Sequence, residues 1–122
     1  MAGPTSNLSN GSGSGQFYKV ASVAIDANYN LYVADFYNGR IQKWVQGASS
    51  GTTIASGFGY AADVVIDSDN NLYIADYSNH KIVKWAVGAG SGTTIAGGNG
   101  AGSAANQLNY PHGVALDASN NV

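Results

Sequence analysis

The chain has 122 residues, a formal net charge of −2, only 10% charged residues and no cysteine. This length suits one ordinary domain, and the lack of a basic cluster disfavours a nucleic-acid binder. Without cysteine there is neither a disulfide framework nor a thiolate metal site. No apolar run approaches the roughly 18 residues of a membrane span, so no membrane partner is expected.

Residues 1–19 are a low-complexity stretch at the N-terminus. "MAGPTSNLSNGSGSG" is rich in Gly, Ser and Asn and has neither a basic start nor an apolar core. It predicts a flexible lead-in and linker rather than a signal peptide. The cellular compartment therefore stays undecided.

A repeat occupies the rest of the chain. "NLYVADFYNGRIQKW" (30–44) returns as "NLYIADYSNHKIVKW" (71–85), identical at nine of fifteen positions. "VAIDANYN", "VVIDSDNN" and "VALDASNN" are three copies of a second unit. They divide the remaining chain into two full repeats, 22–62 and 63–112, and a partial third, 113–122. Repeats of this length are typical of solenoids, propellers and arrays.

Each repeat predicts four short strands. In the first repeat these are residues 22–26, 31–35, 40–45 and 52–55, separated by turn-rich segments of hairpin length. The third repeat predicts one more strand at 113–117. Four antiparallel strands in one repeat describe a propeller blade, which must stack on other blades to bury its apolar faces. We therefore predict an all-β fold of propeller blades in an incomplete ring, either a fragment or a ring completed by several chains.

Two segments of the chain resemble a known repeat family. "VAIDANYNLYVADFYNGRIQKW" and "VVIDSDNNLYIADYSNHKIVKW" are similar to the NHL repeat, whose pattern runs Val-Ala-Val-Asp, a turn, Tyr-Val-Ala-Asp and then Asn-x-Arg-Ile. The resemblance covers residues 20–122. It implies a propeller, usually six-bladed, that serves mainly as a binding scaffold. RNA binding, known for some NHL proteins, is disfavoured here by the acidic balance, so no nucleic-acid partner is expected.

Polar residues that recur in every repeat predict structural turns. A catalytic residue is needed once, whereas a structural device is needed in each repeat. Asp35 is expected to accept hydrogen bonds from backbone or from Arg40, and Asp76 from backbone or from Lys81. The predicted structural turn residues are Asp26, Asp35, Asn38, Arg40, Asp67, Asp76, Asn79, Lys81 and Asp117.

Two metal sites are considered and not predicted. Asp67 and Asp69 resemble the start of a calcium loop, but such a loop needs a bidentate Glu and the chain has none. His112 resembles a zinc-binding histidine of a peptide-amidating lyase, a propeller enzyme. Zinc catalysis needs about three protein ligands, and the equivalent positions hold Ala21 and Ala62. We therefore predict no catalytic residue, no metal and no cofactor.

Aromatic residues in the turns between the second and third strands are candidates for binding. In a propeller this turn and the loop between blades lie on the same face. Tyrosine suits recognition surfaces because it combines area with a polar tip, although packing between blade rims is an alternative role. The predicted binding residues are Phe36, Tyr37, Tyr77, His80, Tyr110 and His112.

These observations favour a noncatalytic binding scaffold that presents one propeller face to a protein, a peptide or a glycan. The alternative is part of a propeller enzyme, amidating-lyase-like or lactonase-like, whose catalytic residues lie on blades absent from this chain. Self-association through exposed blade faces is also expected, because isolated repeats cannot bury their apolar surface.

Overall fold

The computed structural model describes residues 20–117, 119 and 122, so the predicted lead-in at 1–19 lies outside the described residues. One turn of 3-10 helix, Tyr77–Asn79, follows the sixth strand. The strands are β1 (Val20–Ile25), β2 (Leu31–Asp35), β3 (Arg40–Trp44), β4 (Thr52–Ser56), β5 (Ala61–Ile66), β6 (Leu72–Asp76), β7 (Lys81–Trp85) and β8 (Thr93–Gly97).

The strands form two open, four-stranded antiparallel sheets in which chain neighbours pair. Strands β1 to β4 make the first sheet, here called blade 1, and β5 to β8 make the second, blade 2. The predicted all-β, propeller-blade architecture is confirmed. The strand bounds in blade 1 agree closely with the sequence prediction, because turn residues and apolar runs mark the ends of each strand.

Both blades use the same register. Asp35 lies opposite Arg40 in blade 1, and Asp76 lies opposite Lys81 in blade 2. The pairing of the third and fourth strands shifts at the same place in both, just after Ile41 and Ile82. Identical registers follow from identical apolar patterns, since a slip by one residue would turn the whole buried set of a strand outward.

The core lies between the blades. Tyr32, Ala34 and Ile41 of blade 1 pack in one cluster with Leu72 and Ile74 of blade 2. The central strand β6 is buried along its whole length, which explains its unbroken apolar sequence. Burying one such side chain is worth about 1.5–3 kcal/mol. Each repeat thus supplies the packing surface for its neighbour.

The predicted strand at 113–117 is not formed among the described residues, which show no ladder partner for it. A strand needs a paired neighbour, and sequence pattern alone cannot supply one. The segment is nevertheless attached to the blades. Asp63 accepts hydrogen bonds from the Ser22 hydroxyl at 2.6 Å and from the Val114 amide at 3.0 Å. One carboxylate therefore connects the openings of three successive repeats.

Candidate functional site

The first turn of each blade is closed by an aspartate. In blade 2, Oδ1 of Asp67 accepts hydrogen bonds from the amides of Asp69 and Asn71, both at 2.9 Å. Its Oδ2 accepts from Nδ2 of Asn71 at 3.2 Å and from the Tyr73 hydroxyl at 3.0 Å. Asp26 has the same set of partners at the equivalent position of blade 1. The pair Asp67 and Asp69, which resembles the start of a calcium loop, therefore lies in a turn that Asp67 closes in an Asx arrangement.

These contacts shift the pKa values of the groups involved. Burial opposes ionisation of Asp67, but the hydrogen bonds from Asn71, Tyr73 and Asp69 outweigh it, so the pKa lies below its ordinary value. In blade 1, burial, with the hydrogen bond to Asp26 and its negative charge, raises the pKa of Tyr32 to about 12. In each blade, therefore, an ionised aspartate accepts a hydrogen bond from the neutral phenol of a tyrosine.

At the other end of the second strand, two further aspartates hold the turn that follows. Asp35 is fully buried and pairs with Nε of Arg40 at 2.8 Å, and it also accepts from Nδ2 of Asn38 at 3.0 Å. Asp76 accepts from Nδ2 of Asn79 at 2.9 Å.

Of the two partners expected for Asp76, backbone or Lys81, the backbone makes the contact, and among the described residues no ion pair joins Lys81 to Asp76. The amide of Gly59 donates to Asp76 at 3.0 Å. A backbone N–H thus takes the place in blade 2 that Nε of Arg40 has in blade 1. Asp117, in the third repeat, accepts a hydrogen bond from the amide of Ser119 at 2.8 Å.

Residues 57–60, here called the linker, connect β4 of blade 1 to β5 of blade 2, and backbone hydrogen bonds join this region to the turns of both blades. The amide of Ala61 donates to the carbonyl of Phe36 in blade 1 at 3.3 Å, and the amide of Tyr77 in blade 2 donates to the carbonyl of Tyr60 at 2.9 Å. Gly59 lies so close to Ser78 that a β-carbon there would collide with the hydroxyl. These contacts place the side chain of Tyr60 between the turns of the two blades.

Four rings form a continuous row, here called the aromatic arc: Phe36, Tyr60, Tyr77 and Tyr110. The rings of Phe36 and Tyr60 stack at 4.9 Å between centroids with an angle of 18°. Tyr60 and Tyr77 are 6.5 Å apart, and Tyr77 and Tyr110 are 4.9 Å apart. Phe36 also contacts Tyr77 directly, with 5.8 Å between their centroids. The arc therefore crosses from one repeat to the next through both turn and linker rings.

Three further rings contact the arc at steep angles. Tyr37 lies edge-on to Phe36 and to Tyr60, with angles of 86° and 83°. His112 contacts Tyr77 at 4.8 Å. His80 lies 4.4 Å from Tyr110, and its Nδ1 accepts a hydrogen bond from the Tyr110 amide at 3.0 Å.

An open groove of about 640 Å³ lies along the arc. Three of the arc rings border it, together with Val20, Ala21, Ala62, Tyr37 and His112. Ala21 and Ala62 are the two positions equivalent to His112, and both line the groove with it. Tyr37 and Tyr60 are 46% and 37% exposed, so an approaching ligand can reach them.

A smaller cavity of about 230 Å³ lies between the blades at the opposite end of the strands. Tyr32, Lys43 and Trp85 contribute to its wall, and Nζ of Lys43 lies 5.6 Å from the Tyr32 ring centroid. The same contact recurs between Lys84 and Tyr73. A feature that each blade repeats serves the stacking of repeats, so we do not assign a ligand to this cavity.

All six residues predicted from the sequence as binding residues lie in one network of ring contacts. Their role in binding stays a prediction. Tyr60, in the middle of the arc, was missed. It precedes Asp67 by the same spacing as Tyr110 precedes Asp117, so an alignment of the linkers could have found it.

In the part of the chain that the structure describes, no three His, Cys, Asp or Glu side chains gather as a metal site. No helix there is long and apolar enough to cross a membrane.

Comparison with known proteins supports the resemblance drawn from the repeat. The family model of the NHL repeat matches residues 58–85, which run from the linker through β5, β6 and β7. The matched segment contains Tyr60, Tyr77 and His80 of the ring network. The predicted NHL repeat is therefore confirmed. No curated protein matches the chain.

Proposed function

We propose that this chain, which carries an NHL repeat at residues 58–85, is a noncatalytic binding module that presents the groove along the aromatic arc to a protein or peptide. The single observation that carries the proposal is the continuity of the arc across two repeats. Because every ring contacts the next, the groove is one surface to which both blades contribute.

Hydrogen bonds between the linker and blade 2 support this function. The amide of Tyr77 donates to the carbonyl of Tyr60 at 2.9 Å, and the amide of Gly59 donates to Asp76 at 3.0 Å. Binding costs less entropy when the contacting side chains are ordered beforehand. Tyrosine also adds contact area at a low cost in rotamer freedom, which is why it is frequent at recognition surfaces.

The openness of the groove favours an extended ligand. Its volume of about 640 Å³ is within the range of about 300–1,000 Å³ that is usual for small-molecule pockets, but it is open to solvent and does not enclose a ligand. An open groove suits a chain that enters and leaves at its ends better than a small molecule that must be enclosed.

The proposal is tested by selecting a displayed peptide library on the immobilised full chain and measuring the affinity of the recovered peptides by calorimetry. We expect the double variant Tyr37→Ala, Tyr77→Ala to weaken these peptides at least about tenfold, since aromatic residues dominate interface energies. Tyr29→Ala is the control, because Tyr29 is 67% exposed in a turn at the opposite end of the strands.

Thermal unfolding is measured for both variants. A midpoint near that of the parent, with affinity lost only in the double variant, supports the binding role. A library that yields no specific peptide, or peptides that bind all variants equally, contradicts it. A large fall in the midpoint of the double variant with unchanged peptide affinity would assign the rings to blade packing.

A further inference from the structure

We propose that the groove along the aromatic arc recognises a proline-rich segment of a partner protein in the polyproline II conformation. This inference rests on the proposed binding function and names the chemistry of the ligand. Three properties of the described residues lead to it: the charge of the groove, the angles between its rings and the polar edges of those rings.

The charge of the groove selects an uncharged ligand. Among the described residues that line it, His112 is the one with an ionisable base, and none is Asp, Lys or Arg. Peptides that bind through charge, and nucleic acids, need complementary charges at the surface, because phosphate contacts come mainly from Lys and Arg. A proline-rich segment needs none.

The angles between the rings favour proline over a sugar. The faces of Phe36 and Tyr60 cover each other, since the two rings stack at 18°. Tyr37 stands edge-on to both, at 86° and 83°, and His112 crosses Tyr77 at 66°. A sugar ring stacks on an open, flat aromatic face, whereas crossed rings leave clefts between ridges. The pyrrolidine ring of proline is compact and apolar and fits such clefts.

The backbone of a polyproline II helix also matches the polar edges of the rings. Such a helix has no internal hydrogen bonds, so its carbonyl groups can accept from donors at a surface. Tyr37 and Tyr60, which both line the groove, are 46% and 37% exposed and carry phenol hydroxyls. The helix is ordered before it binds, which lowers the entropy cost, and aromatic-lined grooves are its usual receptors.

The test uses a fluorescein-labelled proline decamer, which forms this helix without charge or side-chain hydrogen bonds. Its anisotropy is titrated with the full chain, beside a Gly-Ser decamer and a labelled neutral hexasaccharide. We expect saturable binding of the proline decamer only. Tyr60→Ala and Tyr77→Ala should each weaken it at least about tenfold, as expected for aromatic anchors of an interface. Tyr29→Ala should leave it unchanged.

Removing Tyr60 could also loosen the blades, so the parent chain is examined by NMR as a second measurement. Addition of the proline decamer should perturb the ring signals of Phe36, Tyr60 and Tyr77 and leave those of Tyr29 in place. Perturbation that is absent, or that is centred on Tyr29, overturns the inference.

The remaining outcomes separate this inference from the proposed function. If the proline decamer fails to bind while the library yields other peptides that depend on Tyr77, the proline inference is wrong and the binding module stands. Binding of the hexasaccharide without the proline decamer shows that the ligand is a glycan and overturns the inference. If neither the decamer nor any library peptide binds, both proposals fall.

Discussion

At the scale of single residues, aspartates hold the turns before and after the second strand of each blade. Asp67 gathers four hydrogen bonds at one end of the blade, and Asp76 joins the turn to the linker at the other. Both are buried, and an ionised carboxylate can be buried only when donors surround it. Their recurrence with the repeat therefore reflects folding, as the sequence predicts.

The lowered pKa of Asp67 leads to a prediction for stability. A carboxyl group with a lowered pKa in the folded state stabilises the protein above its unfolded value of about 3.9, and this contribution disappears as the pH falls through the folded value. Asp67→Asn replaces an acceptor by an amide that cannot accept all four bonds. We expect it to lose about 1.5–3 kcal/mol of unfolding free energy at pH 7 and to show a smaller further loss on acidification.

Urea unfolding at pH 7 and pH 3 measures both effects. Asp69→Asn is the matched control, since it removes the same charge from the same turn at an exposed position. Equal losses in the two variants would show that net charge, and not the buried hydrogen bonds of Asp67, is responsible.

At the scale of elements, the two blades meet mainly through β5, which lies against β1, β2 and β3, while β6 beside it is buried at every position. Ile74 in β6 has no exposed surface and lies in the cluster that joins the blades. The strand is buried at all five positions, and Leu72 and Ile74 belong to the apolar cluster. The outer strand β8, by contrast, is exposed at Thr93, Thr94 and Ile95.

We predict that Ile74→Asp abolishes folding of the chain. A carboxylate without a partner in the core costs several kcal/mol, which is comparable with the whole stability of an ordinary domain, about 5–15 kcal/mol. Thr93→Asp on the outer strand is the control and should remain folded. Circular dichroism and the dispersion of amide signals distinguish the two, and a folded Ile74→Asp protein would contradict the burial of β6.

At the scale of the whole molecule, the contact between the two blades is a template for contact between copies. The interblade cavity places Leu72 and Trp85 of blade 2 opposite Tyr32 of blade 1. On the far side of blade 1, Leu31 and Trp44 correspond to Leu72 and Trp85 and line an open space of about 370 Å³. The blade 1 wall of the interblade cavity also has a counterpart in blade 2. Its residues Tyr32, Lys43 and Ile54 correspond to Tyr73, Lys84 and Ile95.

We therefore expect chains to associate head to tail, with blade 2 of one copy against blade 1 of the next. Light scattering coupled to size exclusion should give a mass that rises with concentration above the 12.4 kDa of one chain. Ile25→Lys and Val45→Lys, at exposed apolar positions beside the open space, should lower that mass because a charge is costly in an apolar contact.

Ser50→Lys, in an exposed turn, is the control for added charge. A parent chain that stays monomeric at every concentration would contradict head-to-tail association, as would lysine variants that associate like the control.

The sequence by itself determined the repeat, the all-β class and the ends of the strands in the two blades. These depend on local chemistry: an aspartate that closes its own turn through near neighbours in the chain, and apolar runs whose length and spacing set the strands. It also picked out six of the ring residues, since aromatic side chains in turns have few local roles.

Only the tertiary structure decided how those rings combine. Phe36, Tyr60 and Tyr77 come from two turns and a linker, and their contacts depend on how one blade is rotated against the next. The backbone hydrogen bonds between the blades join groups that are distant in the sequence. The amide of Ala61, at the start of β5, for example, donates to the carbonyl of Phe36. Neighbours in space likewise decided that Arg40 forms an ion pair with Asp35, and that residues 113–117 form no strand among the described residues. A repeating pattern predicts equivalent positions, but it does not contain the contacts that make them differ.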